Sequence, residues 1–142
     1  MDLSGFDAVV FAAAIVHRKD ITDESLYNRV NAQLPYDLAQ KAKAEGVKRF
    51  LFLSTAGVYK SNKTLPASII TADTPLEPDG PYGKSKLEGE RLLKTLADDN
   101  FLLSICLKMQ SHLFYLYRLH MQVFQNMYHI FFDTQLLFVQ EY

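Results

Sequence analysis

The chain has 142 residues, a formal net charge of −1 and a hydrophobic content of 49%, which is enough for one domain with its own core. No stripe of lysine and arginine indicates nucleic-acid binding, and no apolar run reaches the roughly 18 residues of a membrane span. The single cysteine, Cys106, excludes an internal disulfide framework and a cysteine-based zinc site. No basic segment precedes the apolar stretch Ala8 to Val16, so we expect no signal peptide and a cytoplasmic protein.

The first predicted element is a buried strand over Phe6 to Ala14. Its nearly continuous apolar run is typical of parallel sheets that are covered on both faces. The small side chains of Ala12, Ala13 and Ala14 at its carboxyl end would let a ligand approach the backbone closely. The alternative is a strand that simply packs under a helix.

A helix is predicted from about Ser25 to Glu45, because apolar residues recur there at spacings of four. Thr22 or Asp23 can cap its start, and Gly46 is placed as its carboxyl-terminal cap. Pro35 lies inside this pattern and should kink the helix or remove one of its hydrogen bonds.

The second predicted strand, Phe50 to Leu53, ends directly before two hydroxyl side chains, Ser54 and Thr55. Strand, helix and strand at this length form a βαβ unit, and ligands of such sheets bind beyond the carboxyl ends of the strands. Hydroxyls at a strand end also commonly cap a turn, which is the alternative here. The loop that follows, Lys60 to Gly80, is long enough to suggest a functional role.

A third helix is predicted from Pro81 to about Ala97, and it places Tyr82 and Lys86 on the same face at positions i and i+4. A nearby cation lowers the pKa of a phenol, so this pair could transfer protons near neutral pH. Taken alone, the spacing is also common on solvated helices.

Gly83 and Gly89 are poor helix formers, so we expect another backbone or a ligand to approach the third helix at these two positions. A third strand is predicted over Phe101 to Cys106, after a short turn. The predicted elements therefore alternate between strand and helix, as in an α/β fold.

Four blocks in order carry a family resemblance: FDAVVFAAA, YNRVN, KRFLFLSTAGVY and EPDGPYGKSKLEGERLL. Together they resemble the extended short-chain dehydrogenase/reductase family, in its branch of NAD-dependent nucleotide-sugar epimerases and dehydratases, over about residues 5–106. The resemblance implies a partial Rossmann-like, three-layer αβα fold with a parallel sheet for residues 1–106.

The resemblance also implies a role for each matching residue. Tyr82 would take the proton of a sugar hydroxyl while hydride leaves that carbon for the nicotinamide. Thr55 would hydrogen-bond the reacting hydroxyl, and Lys86 would hold the nicotinamide ribose and stabilise the phenolate. Asn31 would organise the site. The residues expected to contact NAD are Ala12, Ala13, Ala14, Asn28, Ser54, Tyr82 and Lys86. The implied partners are a nucleotide-sugar substrate and a second copy of the chain, paired through helices 25–45 and 81–97.

The sequence departs from the family pattern at both ends. It contains no Gly-x-x-Gly-x-x-Gly turn to hold a pyrophosphate, so we expect a truncated member that lacks the first βαβ dinucleotide-binding unit. Residues 107–142 hold nine aromatic residues, three histidines and four charged residues, and they contain no glycine or proline. We interpret them as an atypical tail, either helical or poorly ordered, with an apolar stripe over Leu113 to Phe131. The three histidines lack the spacing of a metal site.

Three hypotheses for function follow. The first is a fragment of an NAD-dependent nucleotide-sugar epimerase or dehydratase that is inactive on its own. The second is a non-catalytic remnant or an interaction module. The third is another short-chain reductase, such as a hydroxysteroid dehydrogenase, although Pro75, Pro78 and Pro81 before the tyrosine look more like the nucleotide-sugar branch.

Overall fold

The computed structural model describes residues 1–16, 23–59 and 73–108, together with two short strands farther along the chain. The strands are β1 (Ala8–Phe11), β2 (Arg49–Thr55), β3 (Leu102–Lys108), β4 (Phe114–Tyr115) and β5 (Leu136–Val139). The helices are α1 (Glu24–Asn28), α2 (Leu34–Ala44) and α3 (Pro81–Lys94).

The strands form one sheet in the order β4-β3-β2-β1-β5. β1 pairs in parallel with β2 and β5, β2 pairs in parallel with β3, and only β4 runs antiparallel to its neighbour. Parallel neighbours require crossover connections, which α1 with α2 and then α3 supply. The predicted partial Rossmann-like α/β fold is confirmed, and the carboxyl ends of β1, β2 and β3 lie at one edge of the sheet.

The predicted elements have the right type but different ends. The first strand is limited to Ala8–Phe11, so the three alanines after it belong to the segment that leaves the sheet. The second strand continues through Thr55, which makes both predicted hydroxyl residues part of the strand end. The third helix ends at Lys94 rather than at Ala97, where a turn begins.

The long helix predicted over residues 25–45 is interrupted just before Pro35. Residues Arg29–Gln33 form a π-helical turn, and the N–H that follows it donates to a carbonyl five residues earlier. A proline has no N–H, and its ring crowds the carbonyl four residues before it, which here belongs to Asn31. The wider turn accommodates this crowding, so the predicted disturbance by Pro35 is confirmed. Such turns are frequent at functional sites.

The ends of this helical region are capped as the sequence predicts. Of the two predicted start caps, the Asp23 carboxylate accepts the N–H of Ser25 at 2.8 Å. At the other end, Gly46 adopts a φ of 87°, a backbone conformation that glycine tolerates best. Gly46 and the residue after it donate to the carbonyls of Lys43 and Ala42, which completes a Schellman cap.

The main core lies between the sheet and one layer of helices. Alternate side chains of β1 and β2 point to this face, where α2 contributes two alanines and α3 contributes a leucine. A smaller cluster of Val10, Leu51 and Cys106 lies on the opposite face, and its described members all come from strands. The buried residues of the main core are Leu3, Val9, Phe11, Ala13, Ala39, Ala42, Val47, Phe50, Phe52, Leu93 and Phe101.

Several predictions fall outside the described residues. These are the Thr22 alternative for the start cap, most of the loop 60–80, and the tail stripe over 113–131 except for its β4 residues, Phe114–Tyr115. The assignment of 107–142 as an atypical tail therefore stays a prediction. Within the described part of the chain, no helix is both long enough and apolar enough to cross a membrane.

Candidate active site

The two hydroxyl residues predicted from the sequence, Ser54 and Thr55, are the last residues of the central strand β2 and are both buried. The chain turns immediately afterwards through a 3₁₀ turn, Ala56–Val58. The Thr55 hydroxyl oxygen accepts the N–H of Gly57 at 3.1 Å, so the turn-capping alternative describes part of its role. This bond uses only one lone pair of the hydroxyl, which still has a proton to donate.

Tyr82 lies in the first turn of α3, and its phenol is hydrogen-bonded to the side chain of Thr55. Burial raises the pKa of Tyr82 above its ordinary value, and the bond from Thr55 opposes that rise in part. The expectation that Lys86 lowers the pKa of Tyr82 is wrong for this structure. The reason is that the Lys86 ammonium points toward the Phe52 ring.

Lys86 is only 1% exposed, and its Nζ lies 3.9 Å from the centroid of the Phe52 ring. Burial lowers the pKa of Lys86 to about 7, although the negative charge of Glu90 opposes this change. The site therefore contains a buried amine that gains or loses its proton near neutral pH.

Gly83 lets the start of α3 approach the strand tip. A Cβ atom placed on Gly83 would lie 2.4 Å from the carbonyl oxygen of Gly57 and 2.8 Å from Pro78. Nearly two turns farther along α3, a Cβ on Gly89 would lie 2.7 Å from the carbonyl oxygen of Asn31. The prediction that another backbone approaches both glycines is confirmed, and Gly83 is the residue that keeps Tyr82 near Thr55.

Asn31, in the π-helical turn, is completely buried and connects three segments of the chain. Its Oδ1 accepts the N–H of Ile15 at 2.9 Å, and its Nδ2 donates to the Ile15 carbonyl at 2.9 Å. The same amide donates to Ser85 Oγ at 3.0 Å, and that hydroxyl donates to the Tyr82 carbonyl at 2.9 Å. The side chain of Asn31 therefore fixes the segment after β1 to the first turns of α3.

The alanine segment lies beside this anchor, directly after β1. Ala13 is buried in the main core, whereas Ala12 and Ala14 are partly exposed. Because Ile15 is held by Asn31 through both backbone groups, the preceding alanines leave the sheet along a fixed path. Asn28, by contrast, is exposed on α1 and is not part of the buried network around Asn31.

Glu90 is the site residue that we did not identify from the sequence. It is 6% exposed, and its Oε1 accepts the hydroxyl of Ser54 at 2.5 Å. Glu90 follows Lys86 by four residues, as Lys86 follows Tyr82, so helical spacing places all three on one face of α3. That spacing was the available signal, but a glutamate in a helix is usually solvated and draws no attention.

Tyr82 and Thr55 form a hydrogen-bonded pair of hydroxyl groups. A second polar group next to this pair is buried and consists of Ser54, Lys86 and Glu90. The pair can orient and exchange a proton with a substrate hydroxyl, and the second group can supply positive charge. Within the described ranges, no three His, Cys, Asp or Glu side chains are close enough together to hold a metal ion. The tail histidines lie outside those ranges.

Comparison with known proteins shows which proteins this chain resembles. A family described as "NAD dependent epimerase/dehydratase family" matches residues 1–120. The N-acetyl-alpha-D-glucosaminyl-diphospho-ditrans,octacis-undecaprenol 4-epimerase of Escherichia coli O157:H7 is 39% identical over 92 residues, which are 65% of this chain and 26% of that protein. The UDP-glucose 4-epimerase of Vibrio cholerae is 34% identical over 103 residues, 70% of this chain and 31% of that protein.

A solved structure shares the same fold. The dTDP-glucose 4,6-dehydratase of Streptomyces venezuelae, in a double mutant with NAD bound, superposes with a TM-score of 0.63 at 31% identity. The superposition covers 73% of this chain and 33% of that one. The chain thus spans between about a quarter and a third of the length of these relatives.

Proposed function

Since the chain belongs to the NAD dependent epimerase/dehydratase family, we propose that residues 1–106 supply the proton-transferring part of a nucleotide-sugar epimerase or dehydratase site. The observation that carries this proposal is the hydrogen bond between the Tyr82 phenol and Thr55, with the buried Lys86 one turn along the same helix. The named relatives act on sugars joined to a diphosphate, which supports this substrate class.

The residues present fit the nicotinamide half of NAD. The Lys86 ammonium is buried against the Phe52 ring and carries three N–H donors, so a ribose hydroxyl is a suitable partner for it. The alanine segment, Ala12 to Ala14, offers backbone with little side-chain bulk at the same edge of the sheet. Ser54, at the end of β2, and Asn28, on α1, are proposed as further contacts of NAD. When bound, NAD supplies a hydride acceptor.

We propose the following division of work among the chain's own residues. Tyr82 accepts the proton of the sugar hydroxyl, and Thr55 orients that oxygen from the strand tip. Burial raises the pKa of Tyr82, and the hydrogen bond from Thr55 opposes that rise in part. Lys86 is proposed to hold the nicotinamide ribose rather than to stabilise the phenolate, because its ammonium lies against the Phe52 ring. Asn31 keeps the alanine segment in place through Ile15.

The 142 residues alone are proposed to bind NAD weakly and not to turn over. The sequence contains no Gly-x-x-Gly-x-x-Gly turn for the pyrophosphate, which in such folds supplies backbone N–H groups at a helix start. Part of the binding energy is therefore missing, although the residues proposed to transfer the proton are present.

Binding of NADH to the 142-residue chain tests this proposal, with nicotinamide fluorescence as the signal. We expect weak but saturable binding that Lys86→Met abolishes. Lys84→Met is the matched control, because Lys84 is an exposed lysine on the same helix. Absence of saturable binding, or an equal loss in the Lys84→Met control, would instead support a non-catalytic remnant.

Two further proposals concern the whole protein. A homodimer through the outer faces of α1 with α2 and of α3 is proposed because these helices lie side by side on one face of the sheet. Light scattering during gel filtration measures it, and a monomer at all accessible concentrations contradicts it. A cytoplasmic location is proposed from the single cysteine, and cell fractionation tests it.

A further inference from the structure

Glu90 is a charged residue in the middle of a helix that is nevertheless buried, at 6% exposure. Removing a carboxylate from water is costly unless hydrogen bonds and opposite charges compensate for it. One oxygen of Glu90 accepts the Ser54 hydroxyl at 2.5 Å, and the other lies 3.8 Å from the Lys94 Nζ. The carboxylate is therefore held in one position by a strand residue and by a residue of its own helix.

The surroundings of Glu90 and Lys86 contain few other charges. From α3, Lys94 faces Glu90, and its side chain is largely exposed. From β2, the facing groups are the neutral Ser54 hydroxyl and the Phe52 ring, which lies against the Lys86 ammonium. The π-helical turn packs on α3 at Gly89 and contributes neutral groups there. In the described part of the chain, Glu90 is thus the buried negative charge that acts on Lys86.

We propose that Glu90 is a positioning residue: its buried carboxylate, four residues after Lys86 on the same helix face, opposes the charge of the Lys86 ammonium and locks the middle of α3 to the tip of β2 through Ser54. This inference rests on the proposed function, because a positively charged Lys86 is the group proposed to hold the nicotinamide ribose. Glu90 itself does not touch Tyr82 or the substrate position. Glu90 acts through the attraction between its negative charge and Lys86, and through the fixed distance between α3 and β2.

The pH dependence of stability gives a readout that does not depend on catalysis. Because the pKa of Lys86 is about 7 in the folded chain and near 10.5 when unfolded, the unfolded chain binds more protons between these values. The free energy of unfolding should therefore rise as the pH increases above about 7. Glu90 raises the pKa of Lys86, so its removal should move the start of this rise to lower pH.

The experiment measures urea unfolding of the 142-residue chain as a function of pH, for the wild type and four variants. In the Glu90→Gln variant, the free energy of unfolding should begin to rise about 1–3 pH units lower than in the wild type. The Lys86→Met variant and the Lys86→Met, Glu90→Gln double variant should both lack this rise of the free energy of unfolding with pH. Glu88→Gln, which changes a glutamate on the same helix whose side chain is 46% exposed, should match the wild type.

Two results would overturn the proposal: an unchanged starting pH in Glu90→Gln, or an equal shift in the Glu88→Gln control. If Glu90→Gln does not fold, Glu90→Asp keeps the charge and should retain the wild-type starting pH; a rise displaced to lower pH in that variant contradicts the proposal. NADH binding is measured separately on the same proteins. A failure of NADH binding with an intact pH shift would contradict the proposed function and leave the role of Glu90 in place.

Discussion

At the scale of single residues, the site depends on side chains whose positions are fixed by other side chains. Thr55 both caps its own turn and bonds Tyr82, so the strand end and the start of α3 share one hydroxyl. Asn31 does the same for the segment after β1 and for Ser85. These bonds explain why a polar site can be built into an otherwise apolar core without unsatisfied groups.

Asn31→Ala should destabilise the chain by about 2–4 kcal/mol, because it leaves the partly buried N–H and carbonyl of Ile15 without their partner and removes one of the two hydrogen bonds of the Ser85 hydroxyl. Urea unfolding monitored by circular dichroism measures the change. Asn28→Ala is the control, and we expect it to alter the free energy of unfolding by no more than about 0.5 kcal/mol, since Asn28 is exposed. Similar losses in both variants would show that the Asn31 network contributes little.

At this scale, the sequence predicted the types of the site residues and their spacing, but not which side chains contact one another. The spacing of Tyr82 and Lys86 placed them on one helix face, yet it could not show that the ammonium would lie over Phe52 rather than beside the phenol. The direction of the Tyr82 pKa was therefore wrong, since burial dominates over a charge that points elsewhere. Glu90 was missed for a related reason, because burial of a helical glutamate depends on tertiary packing.

At the scale of elements, the approach of α3 to its neighbours is set by two glycines. Gly83 faces a carbonyl of the 3₁₀ turn, and Gly89 faces a carbonyl of the π-helical turn. Both contacts involve backbone atoms, which move less readily than side chains. The helix that carries Tyr82 and Lys86 is thus held at fixed distances from β2 and from the Asn31 turn.

Gly83→Ala and Gly89→Ala should each destabilise the chain by about 1–3 kcal/mol, although alanine is the better helix former. The added methyl group would lie 2.4 Å from the Gly57 oxygen in the first case and 2.7 Å from the Asn31 oxygen in the second. Gly80→Ala is the control, because a Cβ there meets nothing within 4 Å. Thermal unfolding of the three variants measures the effect, and a stabilised Gly83→Ala would refute the close contact.

The sequence was more informative about elements than about partners. Both glycines and Pro35 were recognised as positions where a regular helix is disfavoured, because their backbone chemistry is local. The form of the interruption, a π-helical turn that aims Asn31 inward, was not predictable from the proline alone. The ends of strands shifted by up to three residues, since pairing with neighbours decides where a strand stops.

At the scale of the whole molecule, the parallel order of β1, β2 and β3 brings three separate stretches of sequence to one edge of the sheet. The alanine segment, the Thr55 tip and the α3 start meet there only because the crossovers return to the same side. The α/β class followed from the alternation of elements, and the family followed from four ordered blocks.

The central claim is that Tyr82 transfers the proton in an NAD-dependent reaction on a nucleotide sugar. The most direct test places residues 5–106 in the matching segment of the Vibrio cholerae UDP-glucose 4-epimerase, which supplies the rest of the enzyme. Turnover of UDP-glucose is then compared among the chimera, its Tyr82→Phe variant and a Tyr36→Phe control on α2. We predict an active chimera that loses roughly 10²–10⁴-fold in rate with Tyr82→Phe and keeps its rate with Tyr36→Phe. Undiminished turnover in the Tyr82→Phe variant would contradict the claim.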